Sequence, residues 1–148
     1  MELEKEIQSK FENEYHKALV NVIYTHSWVT ALLKQNLEKY DLTVQQFNIL
    51  RILRGQHPNP ATVNLLKERM LDKMSDASRI VDRLVQKGFV ERNVNQRDRR
   101  AVDIFISRKG LEVLEKLDPI ITPADFLKQN LDQEEAKQLN YLLDKFRG

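Results

Sequence analysis

A mainly α-helical fold with a small β-hairpin is predicted for this chain of 148 residues, and three stretches predict it. Apolar residues recur at three- and four-residue steps from residue 3 to residue 38, with no Pro or Gly between them. A shorter amphipathic pattern runs from Asp72 to Gly88. Val102, Ile104 and Ile106 then alternate with Asp103 and Phe105, the period-two pattern of a half-buried strand. A compact helix followed at once by a charged hairpin is the sequence form of a winged helix-turn-helix. Helices flanking it at both ends are expected to serve dimerisation.

Residues 1–40 are expected to form one long helix, with Phe11, Tyr15, Leu19, Val22, Ile23, Val29, Leu32, Leu33 and Leu37 on its apolar side. A helix of about 35 residues is about 52 Å long, more than a small domain can cover. Part of it needs another partner, and a second copy of the chain is the simplest.

Residues 41–110 hold the winged helix-turn-helix. Thr43 and Gln46 match a capping box, and Phe47, Ile49, Leu50, Ile52 and Leu53 leave the helix little polar face, so it should be central. Gly55 and His57-Pro58-Asn59-Pro60 end it. Thr62 can cap the next helix, with Val63, Leu66, Met70 and Leu71 turned inward. In the third helix Ala77, Ile80, Val81, Leu84 and Val85 share one face. Asp72 is the expected N-cap, with Ser75 as its rival, and Gly88 suits the left-handed position after the C-terminus. Asn93 to Ala101 form a polar, basic hairpin tip carrying Arg97, Arg99 and Arg100 around Asp98.

Residues 111–148 should be C-terminal dimerisation helices. Ser107 can cap a helix with Leu111, Val113, Leu114 and Leu117 apolar, which Asp118-Pro119 breaks. Thr122-Pro123 reads as a restart through Phe126 and Leu127. Asp132 and Glu135 open a last helix with Leu139, Leu142, Leu143 and Phe146 on one face.

The net charge is only +2, but it is unevenly spread. Residues 67–109 carry twelve Lys/Arg against seven Asp/Glu, whereas residues 1–14 carry two against five and residues 110–148 five against eight. The positive field is concentrated on the third helix and the hairpin, the footprint of a phosphate-rich partner. A helix of about 10–12 Å diameter fits a DNA major groove about 12 Å wide. Ser75, Asp76, Ser78, Arg79 and Arg83 lie on its outer side and are the expected contacts to base edges and phosphates. The arginine-rich tip would then sit over the adjacent minor groove.

The segments SRIVDRLVQKGFVER and RDRRAVDIFISRKG resemble the MarR family of winged-helix transcription regulators. That family's pattern is R-L-V-D-R-L, then K-G-L-V, a D-R-R wing, and a strand closing on L-T-x-x-G. Here it falls on Arg79 to Leu84, Lys87 to Val90, Asp98 to Arg100, and Ile106 to Gly110. The resemblance implies that Arg100 enters the minor groove and that Asp98 orients it. It also implies a homodimeric, sequence-specific repressor on a pseudo-palindromic site of double-stranded DNA, open to control by a small-molecule effector. The chain departs from the pattern at Leu71-Asp72-Lys73-Met74, where the family usually has a glycine and a small polar cap, and at Ser107, where threonine is usual.

Cysteine is absent, which excludes disulfides, thiolate metal sites and the thiol-based peroxide sensing known in the resembled family. The N-terminus has no apolar signal core and no apolar run nears about 18 residues, so a cytoplasmic protein without a membrane partner is expected. His16, His26 and His57 are scattered, and no phosphate loop or nucleophile motif occurs, so neither an enzyme, a metal site nor a cofactor is expected. Tyr15, Tyr24, His26, Trp28 and Tyr40 could line an effector crevice, although core or dimer-interface packing is the simpler role for them. A winged helix can also bind RNA or a protein, because the fold alone does not set the partner.

Overall fold

The computed structural model describes residues 2–8, 10–95, 101–121 and 127–148. The chain divides into two compact units, Met1–Leu114 and Glu115–Gly148. The order of elements is α1 (Leu3–Ile7), α2 (Glu14–Glu38), α3 (Val44–Gln56), α4 (Val63–Arg69), α5 (Ala77–Gln86), β1 (Val90–Val94), β2 (Val102–Ile106), α6 (Arg108–Leu117) and α7 (Gln133–Arg147).

The helix α3 is the hub of the first unit. It touches α2, α4, α5 and β2, and its Ile49, Leu50 and Leu53 are at most 1% exposed. Its start is fixed by local chemistry. Thr43 accepts the Gln46 N–H, and the Gln46 side chain accepts the Thr43 N–H, each at 3.1 Å. Leu37, Leu66, Met70, Ala77, Val81, Leu84, Ile104 and Leu114 are buried in the same core. Thr62 caps α4 as expected, accepting the Leu65 N–H at 3.2 Å.

The single helix expected over residues 3–38 is instead two. Gln8 takes the left-handed conformation (φ 49°) and ends α1. Asn13 then caps α2, accepting the His16 N–H at 2.9 Å. The sequence carried a signal for this, since Asn is among the strongest N-caps. The two helices are tied by Lys17 with Glu4 and by the Tyr24 hydroxyl donating to Glu6 at 3.2 Å. Desolvation, and then the hydrogen bond to Glu6, push the Tyr24 phenol up. Of the residues in α2 only Leu37 is buried, while Tyr15, Leu19 and Ile23 stand exposed.

The hairpin pairs Val90 with Ile106 and Val94 with Val102 in antiparallel register. A third segment joins it: Ala61 and Ile104 exchange both backbone hydrogen bonds at 2.9 Å. This bridge, absent from the sequence-based expectation, attaches the hairpin to the start of α4. In the second unit, Asp132 and Glu135 form the expected capping box of α7. None of the residues of α7 is buried, and its Leu139, Leu142 and Phe146 are exposed. The expected restart at Thr122-Pro123 through Phe126 lies outside the described residues.

Candidate nucleic-acid interface

The helix α5 is built as the outer face of the helix-turn-helix. Ala77, Val81 and Leu84 are fully buried, so Ser78, Arg79, Asp82 and Arg83 are left on the exposed side. Ile80 is half-buried, and Val85 is 37% exposed, further out than expected. The C-terminus closes in a Schellman motif: the Phe89 N–H reaches Leu84 O at 3.0 Å and the Gly88 N–H reaches Val85 O at 2.9 Å. Gly88 has the left-handed φ of 74° that this motif requires.

The N-terminus differs from expectation. Asp76, not Asp72 or Ser75, caps α5, accepting the Arg79 N–H at 3.1 Å. Asp72 organises the preceding turn, accepting the Ser75 hydroxyl at 2.6 Å and the Met74 N–H at 3.0 Å. These two hydrogen bonds hold its carboxyl below the usual aspartate range. The turn's stabilisation is therefore complete above the ordinary aspartate pKa and is lost as the pH falls through the lowered one. The Asn48 side chain accepts the Leu71 N–H at 3.0 Å, and the Lys73 ammonium donates to the Lys67 and Glu68 carbonyls at the end of α4.

Two consequences follow for the expected contacts. Ser75 and Asp76 spend hydrogen-bonding capacity inside the turn, whereas Ser78, Arg79 and Arg83 present theirs outward. Leu71, expected to turn inward, is 86% exposed, and Met74 is 94% exposed. Met70 explains the change: it ends α4 in an extended conformation (ψ 140°), so the helical phase does not carry through to Leu71.

Beside α5 the hairpin is braced at the middle of β1 and at the far end of its strands. Arg92 on β1 pairs with Asp82 on α5 at 2.6 Å. At the far end the Asn95 N–H donates to Ala101 O at 3.1 Å, and the Asn95 amide reaches both Asp103 carboxylate oxygens at 3.0 and 3.1 Å. The tip residues Arg97, Asp98, Arg99 and Arg100 lie outside the described residues.

The multiple antibiotic resistance protein MarR of Escherichia coli strain K12 is 33% identical to this chain over 116 residues, 77% of this chain and 79% of that protein. The chain belongs to the MarR family. The family's sequence profile matches residues 40–101, from the turn after α2 to the residue before β2. A mutant E. coli MarR complexed with operator DNA shares the fold with a TM-score of 0.75 at 30% identity, covering 93% of this chain and 99% of that one. The S. aureus MepR–DNA complex shares the fold alone, with a TM-score of 0.74 at 23% identity and coverage of 93% and 97%.

This MarR-family chain is a transcription regulator. No helix among the described residues is long and apolar enough to cross a membrane. Among them, no three His, Asp or Glu side chains gather as metal ligands. A cleft of about 400 Å³ lies between α2 and the start of α3, with Thr30, Lys34, Glu38, Asp41 and Lys87 on its walls. None of Tyr15, Tyr24, His26, Trp28 and Tyr40 lines it. Lys87, at the end of α5, spans it to pair with Asp41 at 3.0 Å and ties α5 to the turn between α2 and α3.

The cap assignment is directly testable. Asp76→Ala should cost about 1 kcal/mol of stability, while Asp76→Asn should cost only a few tenths, because Asn caps as well as Asp. Urea unfolding midpoints of the two variants measure this. Equal losses in both would refute the cap.

Proposed function

We propose that this MarR-family regulator is a homodimeric repressor that binds a pseudo-palindromic operator in double-stranded DNA. The observation that carries the reading is the two-sidedness of α5: a fully buried Ala77, Val81 and Leu84 against an exposed Ser78, Arg79 and Arg83. Each subunit lays that exposed side in a major groove, with Ser75 and Asp76 at the helix's leading end. The wing carries Arg97, Arg99 and Arg100 to the flanking minor groove, with Asp98 orienting Arg100. The unburied apolar sides of α2 and α7 supply dimer surface. A repressor of this kind works by binding and release, without turnover, in the cytoplasm where its operator is. Effector control, typical of the family, would act by changing the spacing of the two α5 helices.

Selection of bound duplexes from a random pool by the full chain tests the proposal. The expected product is an inverted repeat whose half-sites are centred about 34–36 Å apart, one turn of DNA. Its affinity should fall steeply with salt. Recovery of no preferred duplex, or tighter binding to single-stranded or duplex RNA than to any DNA, would refute it.

A further inference from the structure

The turn before α5 holds an unexplained feature. Leu71 and Met74 are 86% and 94% exposed, two large apolar side chains within four residues. A single exposed apolar residue needs no explanation. This pair differs in being held on a backbone that is locked from three directions. The Leu71 N–H is fixed by Asn48, the Met74 N–H by Asp72, and the following Ser75 hydroxyl by the same Asp72 carboxylate. The turn therefore loses little freedom when a surface meets it.

The polar side chains of the turn already spend part of their hydrogen-bonding capacity within it. Ser75 donates to Asp72, Asp76 accepts from Arg79, and Lys73 donates back to the end of α4. Beside the outward Ser78 and Arg79 on the first turn of α5, the preceding turn offers a groove floor two large apolar side chains. In the major groove the one apolar feature of a base edge is the C5-methyl group of thymine. Met74 stands two residues before the cap of α5, and its unbranched thioether chain adapts to such a small target.

We propose that Met74 is a specificity-determining residue that reads a thymine C5-methyl group in each half-site, with Leu71 extending the same apolar tip. This rests on the operator-binding reading above. The test replaces each thymine of the selected operator, one position per half-site, by deoxyuridine, which removes the methyl and keeps the pairing. Full-length protein and its Met74→Ala variant are titrated against each duplex. At one position the wild type should lose on the order of fourfold per methyl, about fifteenfold over two half-sites, as burial of one methyl-sized group implies. Met74→Ala should lose a similar factor on the thymine duplex and nothing more on the deoxyuridine duplex at that position.

Indifference of the wild type to every deoxyuridine swap overturns the proposal. So does a penalty in Met74→Ala equal to that of the wild type at every position. A shift of the DNA-free protein's sedimentation in Met74→Ala would reassign the tip to a protein contact and overturn it as well. Failure of the wild type to select any duplex is a separate result, and it would bring down the operator-binding reading itself.

Discussion

Changing Arg100 to alanine is expected to lower operator affinity by about two orders of magnitude. A hydrogen bond to a charged group contributes roughly 1.5–3 kcal/mol, and a homodimer places two such arginines on one site. About 3 kcal/mol in total corresponds to roughly a hundredfold. The plot of log affinity against log salt should also flatten by about two, one phosphate-equivalent charge per subunit. Arg100→Lys separates charge from shape: it should keep the salt slope but recover only part of the affinity, because the ammonium lacks the planar fork. The described strands on either side of the tip are held in place. Asn95 and Ala101 are joined across the base of the tip, Asn95 holds Asp103, and Arg92 ties β1 to Asp82 on α5. Full affinity of Arg100→Ala at physiological salt would show the wing assignment to be wrong.

The features that were legible in the sequence share a physical property: they are closed within a few residues. Thr43 with Gln46, Thr62, and Asp132 with Glu135 cap their helices as read, because a cap joins a side chain to a backbone group three positions away. Gly88 closes α5 by a bond pattern spanning one turn. The buried side of α5 followed from its period. The misreadings are of another kind. Two aspartates, Asp72 and Asp76, compete to start α5, and each has an acceptor within reach of the backbone. Which one caps depends on where α5 must begin to pack on α3, and that is decided by tertiary contacts. Leu71 continued the period of α4, but the chain had already left the helix at Met70. The exchange between Ala61 and Ile104 joins segments far apart in sequence, and no local pattern encodes it. For the proposed interface, Ser78, Arg79 and Arg83 stand out in the sequence as the polar remainder of an amphipathic helix. The exposure of Met74, on which its proposed role rests, does not, because an apolar residue in a turn reads as core until its surroundings are known.

Gly110→Ala is expected to destabilise this chain, and Gly55→Ala to stabilise it. Both glycines lie in helices, where alanine is intrinsically better by about 0.8–1.0 kcal/mol. Space decides the rest. A Cβ on Gly55 meets nothing within 4 Å, so the propensity gain should appear as about 0.5 kcal/mol of stability. A Cβ on Gly110 would lie 2.4 Å from the Phe89 backbone oxygen and 2.7 Å from Cγ1 of Ile106. The Ile106 side chain can rotate away, but the Phe89 carbonyl has nowhere to go. It accepts the Ser107 N–H at 3.0 Å, and the Phe89 N–H is itself held by Leu84 O. The Ser107 hydroxyl adds a bond to Gly88 O at 2.7 Å and accepts the Gly110 N–H at 3.1 Å. The start of α6 is thus clamped directly onto the turn that ends α5. Overpacking against such a clamp costs about 1–3 kcal/mol and should lie at the upper end here, outweighing the propensity gain. Urea unfolding of both variants at one protomer concentration reads the two signs, since dimer dissociation makes stability concentration-dependent. A Gly110→Ala midpoint at or above the wild type would mean that α6 does not sit against Phe89. The same variant should also weaken operator binding, because separating α6 from Phe89 disturbs the Schellman turn that sets where α5 ends and the wing begins.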